Sequence, residues 1–387
     1  MKMNLKKIIS LLRSIKNYFF YHEEINKSFL LNKKKLTKKL YQSSISIQNN
    51  DITFDEELIS RLKTSFSNLD VNVSSHWEDI YNNLKLGALM NQLKENDNYY
   101  FHNVMSNPHK TNLHHGWGEI SKSILSNFRY TDFYLNQTIY DCLYRICCYL
   151  GIEKMPEPYH NINFQHLTAD QLIDNIFDHL KLKTNFPNLF AKEKGIKTKY
   201  GIISYTPLQQ LYHAIRVYEL TKKIKQPKVL EIGAGIGMSA YHAWNFGIKN
   251  YTIVDLPLTC MCSGFFLANT INKNNICFNE EKNNYPKDSL ENNNKIKIIS
   301  PTKLDLVSNN LDLILNCDSL TEMSRDQAEK YIKFASEKSK FFLSINHEGN
   351  AFTINELFNN SSFDKISRMP TWYRQGYVEE LYRNKMN

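Results

Sequence analysis

The chain has 387 residues, of which 42% are hydrophobic and 22% charged, with a formal net charge of +9. That length suits two domains, or one nucleotide-binding domain with a large extension, and the apolar content excludes a disordered protein. The charge excludes a duplex-binding enzyme with a basic groove beside its site, because residues 1–50 hold eleven Lys/Arg against Glu23 and Glu24, and the other 337 residues balance. Nucleic acid is therefore not an expected partner.

No stretch reaches the ~18–20 uninterrupted apolar residues of a membrane span. In Met1–Phe20 the apolar residues Ile8, Ile9, Leu11, Leu12, Ile15, Tyr18 and Phe19 recur at helical spacing, and Arg13 and Lys16 interrupt them as they would not in a signal peptide. Such a basic amphipathic helix packs on its own protein or a sister subunit, the favoured expectation, or makes peripheral contact with an anionic membrane surface. From residue 51 to 190 the signals are helical. Capping boxes at Thr53-Phe54-Asp55-Glu56, Ser75-His76-Trp77-Glu78 and Thr168-Ala169-Asp170-Gln171 each precede an apolar-periodic run. Asp132–Leu150 reads as a long buried helix closed by Gly151, with Pro156 and Pro158 punctuating the chain beyond it. The polar, aromatic loop residues His102, Asn103, Asn107-Pro108-His109-Lys110 and His114-His115-Gly116-Trp117-Gly118 interrupt the helices, and His114, His115 and Trp117 are candidate substrate contacts. The half as a whole reads as a domain for substrate selection and for a homo-oligomer. Seven cysteines, an odd number without paired CxxC motifs, read as reduced, buried thiols of a cytoplasmic protein.

After Lys228, strands alternate with helices, the pattern of a parallel sheet with crossover helices, an α/β doubly wound domain over residues 191–387. Strands are predicted at Lys228–Ile232, Tyr251–Asp255, Ile296–Ser300, Leu311–Leu315 and Phe341–Ile345. Helices are predicted at Pro207–Leu220, Gly237–Phe246, Leu258–Ile271 and Arg325–Ser339. The Asn- and Lys-rich stretch Asn272–Lys295 reads as a surface excursion.

The first strand runs into Glu231-Ile232-Gly233-Ala234-Gly235-Ile236-Gly237. A glycine-rich strand-to-helix turn lets the backbone approach a ligand and aims free amide N–H groups at it. Position 238, where a dinucleotide fingerprint needs its third glycine, is Met238, which disfavours a dehydrogenase; the ExGxGxG form, with strand, glycine turn, helix, strand and acid in that order, points to S-adenosyl-L-methionine as the expected cofactor, with S-adenosyl-L-homocysteine as its product. Glu231 suits the cofactor's ammonium group. Asp255, about 20 residues on at the next strand end, suits its ribose hydroxyls, with Leu256 beside it, although the same Asp also makes a good helix cap before Pro257. Ser300 and Pro301 at the third strand end are expected by the adenine. Tyr205 is expected either over the cofactor or in the core.

The fourth strand should deliver Asn316, Cys317, Asp318 and Ser319, followed by Glu322, to the reacting end. The fifth should deliver Asn346, His347 and Glu348 to the same edge. Methyl transfer to a hydroxyl needs in-line geometry and gains from a general base. His347 oriented by Glu348, Asp318 or Glu322 is the expected base, the alternative being strand-end and helix caps. A metal held by Asp318, His347 and Glu348 is disfavoured, since no compact ligand motif supports it. The Asp/Asn-Pro-Pro-aromatic run of amino-methyltransferases is absent, which argues for an oxygen acceptor.

At these residues, and at Asn316–Met323, Ser344–Glu348 and Arg368–Glu380, the sequence resembles the sugar O-methyltransferase family found with bacterial capsule and lipopolysaccharide biosynthesis. The resemblance covers roughly residues 195–387. It implies a class I, Rossmann-like methyltransferase fold and a cytoplasmic enzyme acting on a hydroxyl of a nucleotide-activated sugar, such as a GDP-linked heptose or a deoxysugar. Arg374 is then expected on the pyrophosphate, and Trp372 or Tyr373 on a sugar face or base, against the alternative of a packed last hairpin. Two rival readings remain: a lipid-linked glycan as acceptor at the membrane surface, and a non-catalytic member that only binds cofactor.

Overall fold

The computed structural model describes residues 45–46, 52–67, 75–113, 129–154, 167–191, 193–278, 294–307, 310–359 and 361–386. The expected basic helix in Met1–Phe20 and the candidate contacts His114, His115 and Trp117 lie outside the described residues.

Helices α1 (Glu56–Phe66), α2 (Ser75–Asn83), α3 (Leu86–Glu95), α4 (Asn98–Ser106), α5 (Arg129–Tyr149) and α6 (Ala169–Leu180) form a helical layer. At α6 the Thr168 hydroxyl accepts from Gln171 N–H, and the Gln171 side chain accepts from Thr168 N–H, so both bonds of the expected box are present. At α1 the cap is Asp55 rather than Thr53. Its carboxylate accepts from Leu58 N–H at 3.0 Å and also holds Lys273 at 2.8 Å, a charge pairing that a threonine could not offer. Strands β1 (Ile45–Ser46), β2 (Lys194–Thr198) and β3 (Gly201–Ile203) make a small antiparallel sheet, after which α7 (Tyr205–Thr221) leads into the main one.

The main sheet contains β4 (Lys228–Ile232), β5 (Asn250–Val254), β6 (Ile276–Phe278), β7 (Lys295–Ile299), β8 (Leu311–Cys317), β9 (Ser339–His347), β10 (Phe363–Pro370) and β11 (Tyr377–Asn384), in the order β10-β11-β9-β8-β4-β5-β7-β6. The six strands from β9 to β6 are parallel, and β11 and β10 continue the sheet antiparallel. Strand order reverses between β4 and β8, the switch point at which a doubly wound sheet opens a crevice beyond its strand ends. Strand β6 was not expected. It falls inside the Asn-rich stretch, but Ile276, Cys277 and Phe278 are all buried, and three such residues suffice for an edge strand paired with β7.

The crossover helices are α8 (Met238–Asn245), α9 (Pro257–Leu267) and α10 (Arg325–Lys338), with the short α11 (Ile354–Phe358) before the final hairpin. One apolar core runs from Leu58 of α1 through α5, α7, α8 and α9 to Leu381 of β11, so the helical layer and one sheet face share an interior. A second core, around Phe342, Tyr382 and α10, fills the other face. All seven residues of β8 are buried, as expected of a central parallel strand covered on both faces.

A buried polar network ties α7 to β11 and α5. Arg216 Nε donates to Glu379 Oε1 at 2.9 Å, the Tyr212 hydroxyl donates to Glu379 Oε2 at 2.8 Å, and Arg216 Nη1 donates to the Tyr149 hydroxyl at 2.9 Å and to Glu219 at 3.0 Å. Glu379 is 1% exposed, so it depends on these partners for its charge. Replacing Arg216 with Met strands that carboxylate. Urea unfolding is expected to show a loss of about 3–5 kcal/mol, and a loss below about 1 kcal/mol would show that the network is not what holds these elements together.

Candidate active site

The turn after β4 adopts left-handed backbone at Gly233 (φ 76°), Gly235 (φ 56°) and Gly237 (φ 86°). At Gly233 a Cβ would lie 2.3 Å from Ser319 Oγ, whereas one at Gly235 would meet nothing within 4 Å. The first glycine therefore permits close packing between strand ends, and the second keeps the turn's ligand-facing side clear. Asp255, just past β5, accepts from Gly235 N–H at 2.9 Å and from Leu256 N–H at 2.7 Å, with further hydrogen bonds from the Thr259 side chain and the Ala234 backbone, so it braces the turn. Glu231 accepts from the Tyr251 hydroxyl at 2.9 Å and from the Ser239 side chain. Desolvation pushes both carboxyls up to about 7, countered at Asp255 by its backbone hydrogen bonds and reinforced at Glu231 by the nearby Asp255 charge.

These groups open into a cavity of about 940 Å³. Glu231, Gly233, Ala234, Gly235, Asp255, Leu256 and Pro301 line one side, and Trp77, Ile80 and Tyr81 of α2 with Leu86 of α3 roof it. Tyr205, Asp318, Glu322 and Arg374 line the same cavity. Asp318, one residue beyond β8, is a non-glycine residue with left-handed backbone (φ 60°), a strain held by Asp318 N–H donating to Ile345 C=O at 3.1 Å. Arg374 forms an ion pair with its Oδ2 and lies over the Tyr377 ring at 3.8 Å. Glu322 sits near this pair. Desolvation and the Asp318 charge raise its carboxyl to about 7, with Arg374 pulling the other way.

The loop that carries Arg374 is anchored from the helical side. The Tyr205 hydroxyl donates to the Tyr373 carbonyl, Arg145 donates to the Trp372 carbonyl, and His213 Nε2 and the Tyr373 hydroxyl share a hydrogen bond of 3.0 Å. Trp372 and Tyr373, expected as stacking surfaces for a ligand, are not on the cavity wall. Trp372 packs edge-on against Tyr212 at 5.0 Å and along Tyr149 at 6.5 Å, and Tyr373 is buried. Their aromatic area is already used to seat the loop on α5 and α7.

His347 is likewise off the cavity wall. Its Nδ1 accepts from Gly349 N–H at 3.0 Å, and its ring packs against Tyr377 at 5.1 Å and beside Gly376, so the hairpin turn lies against it. Glu348 binds Arg368 at 2.7 Å rather than orienting His347. Asn316 and Asn346 are buried between strands. The Asn316 amide donates to Ile232 C=O at 2.9 Å, and the Asn346 amide donates to Asn316 Oδ1 at 2.7 Å. Ser300 is fully buried, with its hydroxyl 2.7 Å from that of Thr302. Among the cavity residues that went unread in the sequence are Thr206, Gln209, Gln210 and His213 of α7. Burial and the Arg374 charge push His213 down to about 3, so its imidazole is neutral. Among the described residues, no cluster of three or more His, Cys, Asp or Glu is placed to hold a metal, and no helix is long and apolar enough to cross a membrane.

With parallel strands meeting at a switch point, a glycine turn after the first of them and an antiparallel terminal hairpin, the domain has the Rossmann-like fold of class I methyltransferases. The sequence matches no protein-family model and no curated protein. Among solved structures it is similar to mitomycin 7-O-methyltransferase (13% identity, TM-score 0.34, covering 46% of this chain and 54% of that one). It is also similar to magnesium protoporphyrin IX methyltransferase from Synechocystis PCC 6803 (13%, 0.33, 46% and 80%) and to the CcbJ methyltransferase from Streptomyces caelestis (12%, 0.35, 46% and 89%). The chain thus spans about half the length of the first of these, and the fold assignment rests on the strand order itself.

The raised carboxyls set a pH dependence. Below the ordinary carboxylate range Glu231 and Asp255 are protonated folded or unfolded; above it, folding holds protons that the unfolded chain releases. Stability of the ligand-free protein should therefore fall as pH rises from about 4 to about 7. Urea titrations across that window, with Glu231→Gln and Asp255→Asn combined, should show a flatter profile in the double variant; an unchanged slope would mean the two groups ionise freely in the folded protein.

Proposed function

We propose that the protein is an S-adenosyl-L-methionine-dependent O-methyltransferase acting on a hydroxyl of a nucleotide-activated sugar. The observation that carries this reading is that one cavity joins the glycine turn, Glu231 and Asp255 to a polar reacting edge at Asp318, Glu322 and Arg374. The open cradle at Gly235 and the two carboxylates at adjacent strand ends fit the cofactor, with Glu231 toward its ammonium group and Asp255 toward its ribose. When bound, that group supplies a methyl on an electrophilic sulfonium. Binding a cation beside Glu231 favours the ionised carboxylate, so loading the site reverses the proton uptake of the empty cavity.

Glu322 is the base in this reading, in place of His347. Its carboxyl lines the cavity and titrates near neutrality, where a base has both the right protonation state and useful strength. Asp318 keeps that value high, and Arg374 holds Asp318 in place. The roof of α2 and α3 excludes water from the transfer. Sugar specificity, a role in surface-polysaccharide assembly, cytoplasmic residence and homo-oligomerisation through the helical half belong to the same proposal. The first three are supported by the sequence resemblance, and homo-oligomerisation by the amphipathic helices of the N-terminal half.

Calorimetry should show that the protein binds S-adenosyl-L-methionine and that Asp255→Asn weakens binding at least about tenfold, the loss of one charge-assisted hydrogen bond. Equal binding by both proteins would remove Asp255 from the site. Mass spectrometry of a nucleotide-sugar panel should show the gain of one methyl. Turnover should rise with pH up to about 7, the value set by Glu322, and Glu322→Gln should abolish that limb while lowering kcat by about 10²–10⁴. An intact limb in the variant would pass the base role to another group.

A further inference from the structure

Thr206, Gln209, Gln210 and His213 lie at i, i+3, i+4 and i+7 along α7, so they share one face of the helix, and all four line the cavity. The residues between and after them, Leu208, Leu211, Tyr212, Ala214 and Ile215, are buried in the main core. The helix thus turns a polar stripe toward the cavity and an apolar one toward the protein.

The stripe is uncharged. Gln209 is 6% exposed, and His213 is held neutral with its Nε2 engaged by the Tyr373 hydroxyl. Gln210 Oε1 is buried and has no hydrogen-bond partner among the described residues. A buried carbonyl oxygen on a cavity wall calls for a donor from whatever fills the cavity. The cofactor reading already supplies partners at the glycine turn, Glu231 and Asp255. The stripe lies with Arg374 and Asp318, because His213 touches Tyr373, the residue before Arg374, and feels the Arg374 charge.

We propose that this face of α7 recognises the acceptor, and that Gln210 Oε1 takes a hydrogen bond from a hydroxyl of the acceptor adjacent to the one that is methylated. The inference rests on the reading above and adds its specificity element. Amide, hydroxyl and neutral imidazole groups each donate or accept without charge, as a ring bearing several hydroxyls requires. Among the described residues, the one cation beside the stripe itself is Arg374, which Asp318 already engages, and the cavity's other cation, Lys330, comes from α10 and not from α7. A side chain that must receive a hydrogen discriminates against acceptors lacking that hydroxyl, because the carbonyl is then left buried and unpaired.

The test is calorimetry of GDP-mannose and its monodeoxy analogues on the full chain with S-adenosylhomocysteine present, comparing wild type, Gln210→Leu and Gln210→Glu. Wild type should lose at least about tenfold in affinity for one analogue, Gln210→Leu should bind that analogue and the parent sugar alike, and Gln210→Glu, which keeps an accepting oxygen, should retain the discrimination. S-adenosylhomocysteine should bind all three proteins within about twofold. Identical sugar profiles in wild type and Gln210→Leu, or a tenfold loss of S-adenosylhomocysteine in that variant alone, overturn the proposal, the latter by giving Gln210 to the cofactor. Failure of wild type to bind any sugar while binding S-adenosylhomocysteine sinks it together with the sugar reading, whereas failure to bind S-adenosylhomocysteine sinks the methyltransferase reading first.

Discussion

Two strand ends meet at the centre of this molecule with no room between them. Ser319 Oγ, after β8, donates to the Ile232 carbonyl at 3.0 Å, and a side chain at Gly233 would collide with it. The Asn316 amide donates to the same carbonyl and is itself held by Asn346 of β9. This clamp of uncharged groups fixes β4, β8 and β9 in register where the strand order reverses, and a buried carbonyl with two donors is well satisfied. Because the central strands are parallel, fixing one end aligns the others, and Glu231, Asp255 and Asp318 reach the same edge without any of them contributing to the clamp.

The reacting edge depends on a second layer of support. Arg374 arrives on a loop between two antiparallel strands, where Tyr377 lies under its guanidinium and the Thr371 hydroxyl donates to its carbonyl. The loop is seated further by α5 and α7, through Arg145, Tyr205 and His213, and by the buried Arg216–Glu379 pair that locks β11 to α7. A charged network of this kind adds little net stability over apolar packing but tolerates no missing partner, so it specifies an arrangement more than it strengthens one.

Much of the sheet was legible because parallel strands leave a continuous apolar signature and helices between them a 3.6-residue one. Strand β6 was hidden because three apolar residues in an Asn-rich stretch carry no period. The glycine turn, Asp255, Asp318 and Glu322 could be placed on one edge because strand ends are read directly from strand order, whereas Arg374 was expected only through the resemblance, on a pyrophosphate and not on Asp318. His347 follows the same logic and still misses the cavity: the turn at Gly376 packs against its ring, and a hairpin's fold-back cannot be read from the strand that receives it. Trp372 and Tyr373 carry the same ambiguity, since aromatic residues suit a ligand face and a packed core equally, and only the neighbours on α5 and α7 decide. Gln210 and His213 were invisible for the opposite reason. Their stripe is an ordinary amphipathic pattern whose polar side would normally face water, and here it faces the cavity.

The apolar interior that runs unbroken from Leu58 to Leu381 makes the two halves of the chain poor candidates for exchange. In many enzymes a substrate-selecting module can be traded between relatives like a fitting on a common mount. Here the helical half supplies the roof, the Arg145 anchor of the Arg374 loop and part of the sheet's own core. A chimera joined near residue 190 would have to inherit both sides of that packing surface, and divergence in acceptor choice is easier along the single α7 stripe than by replacing the half that covers it.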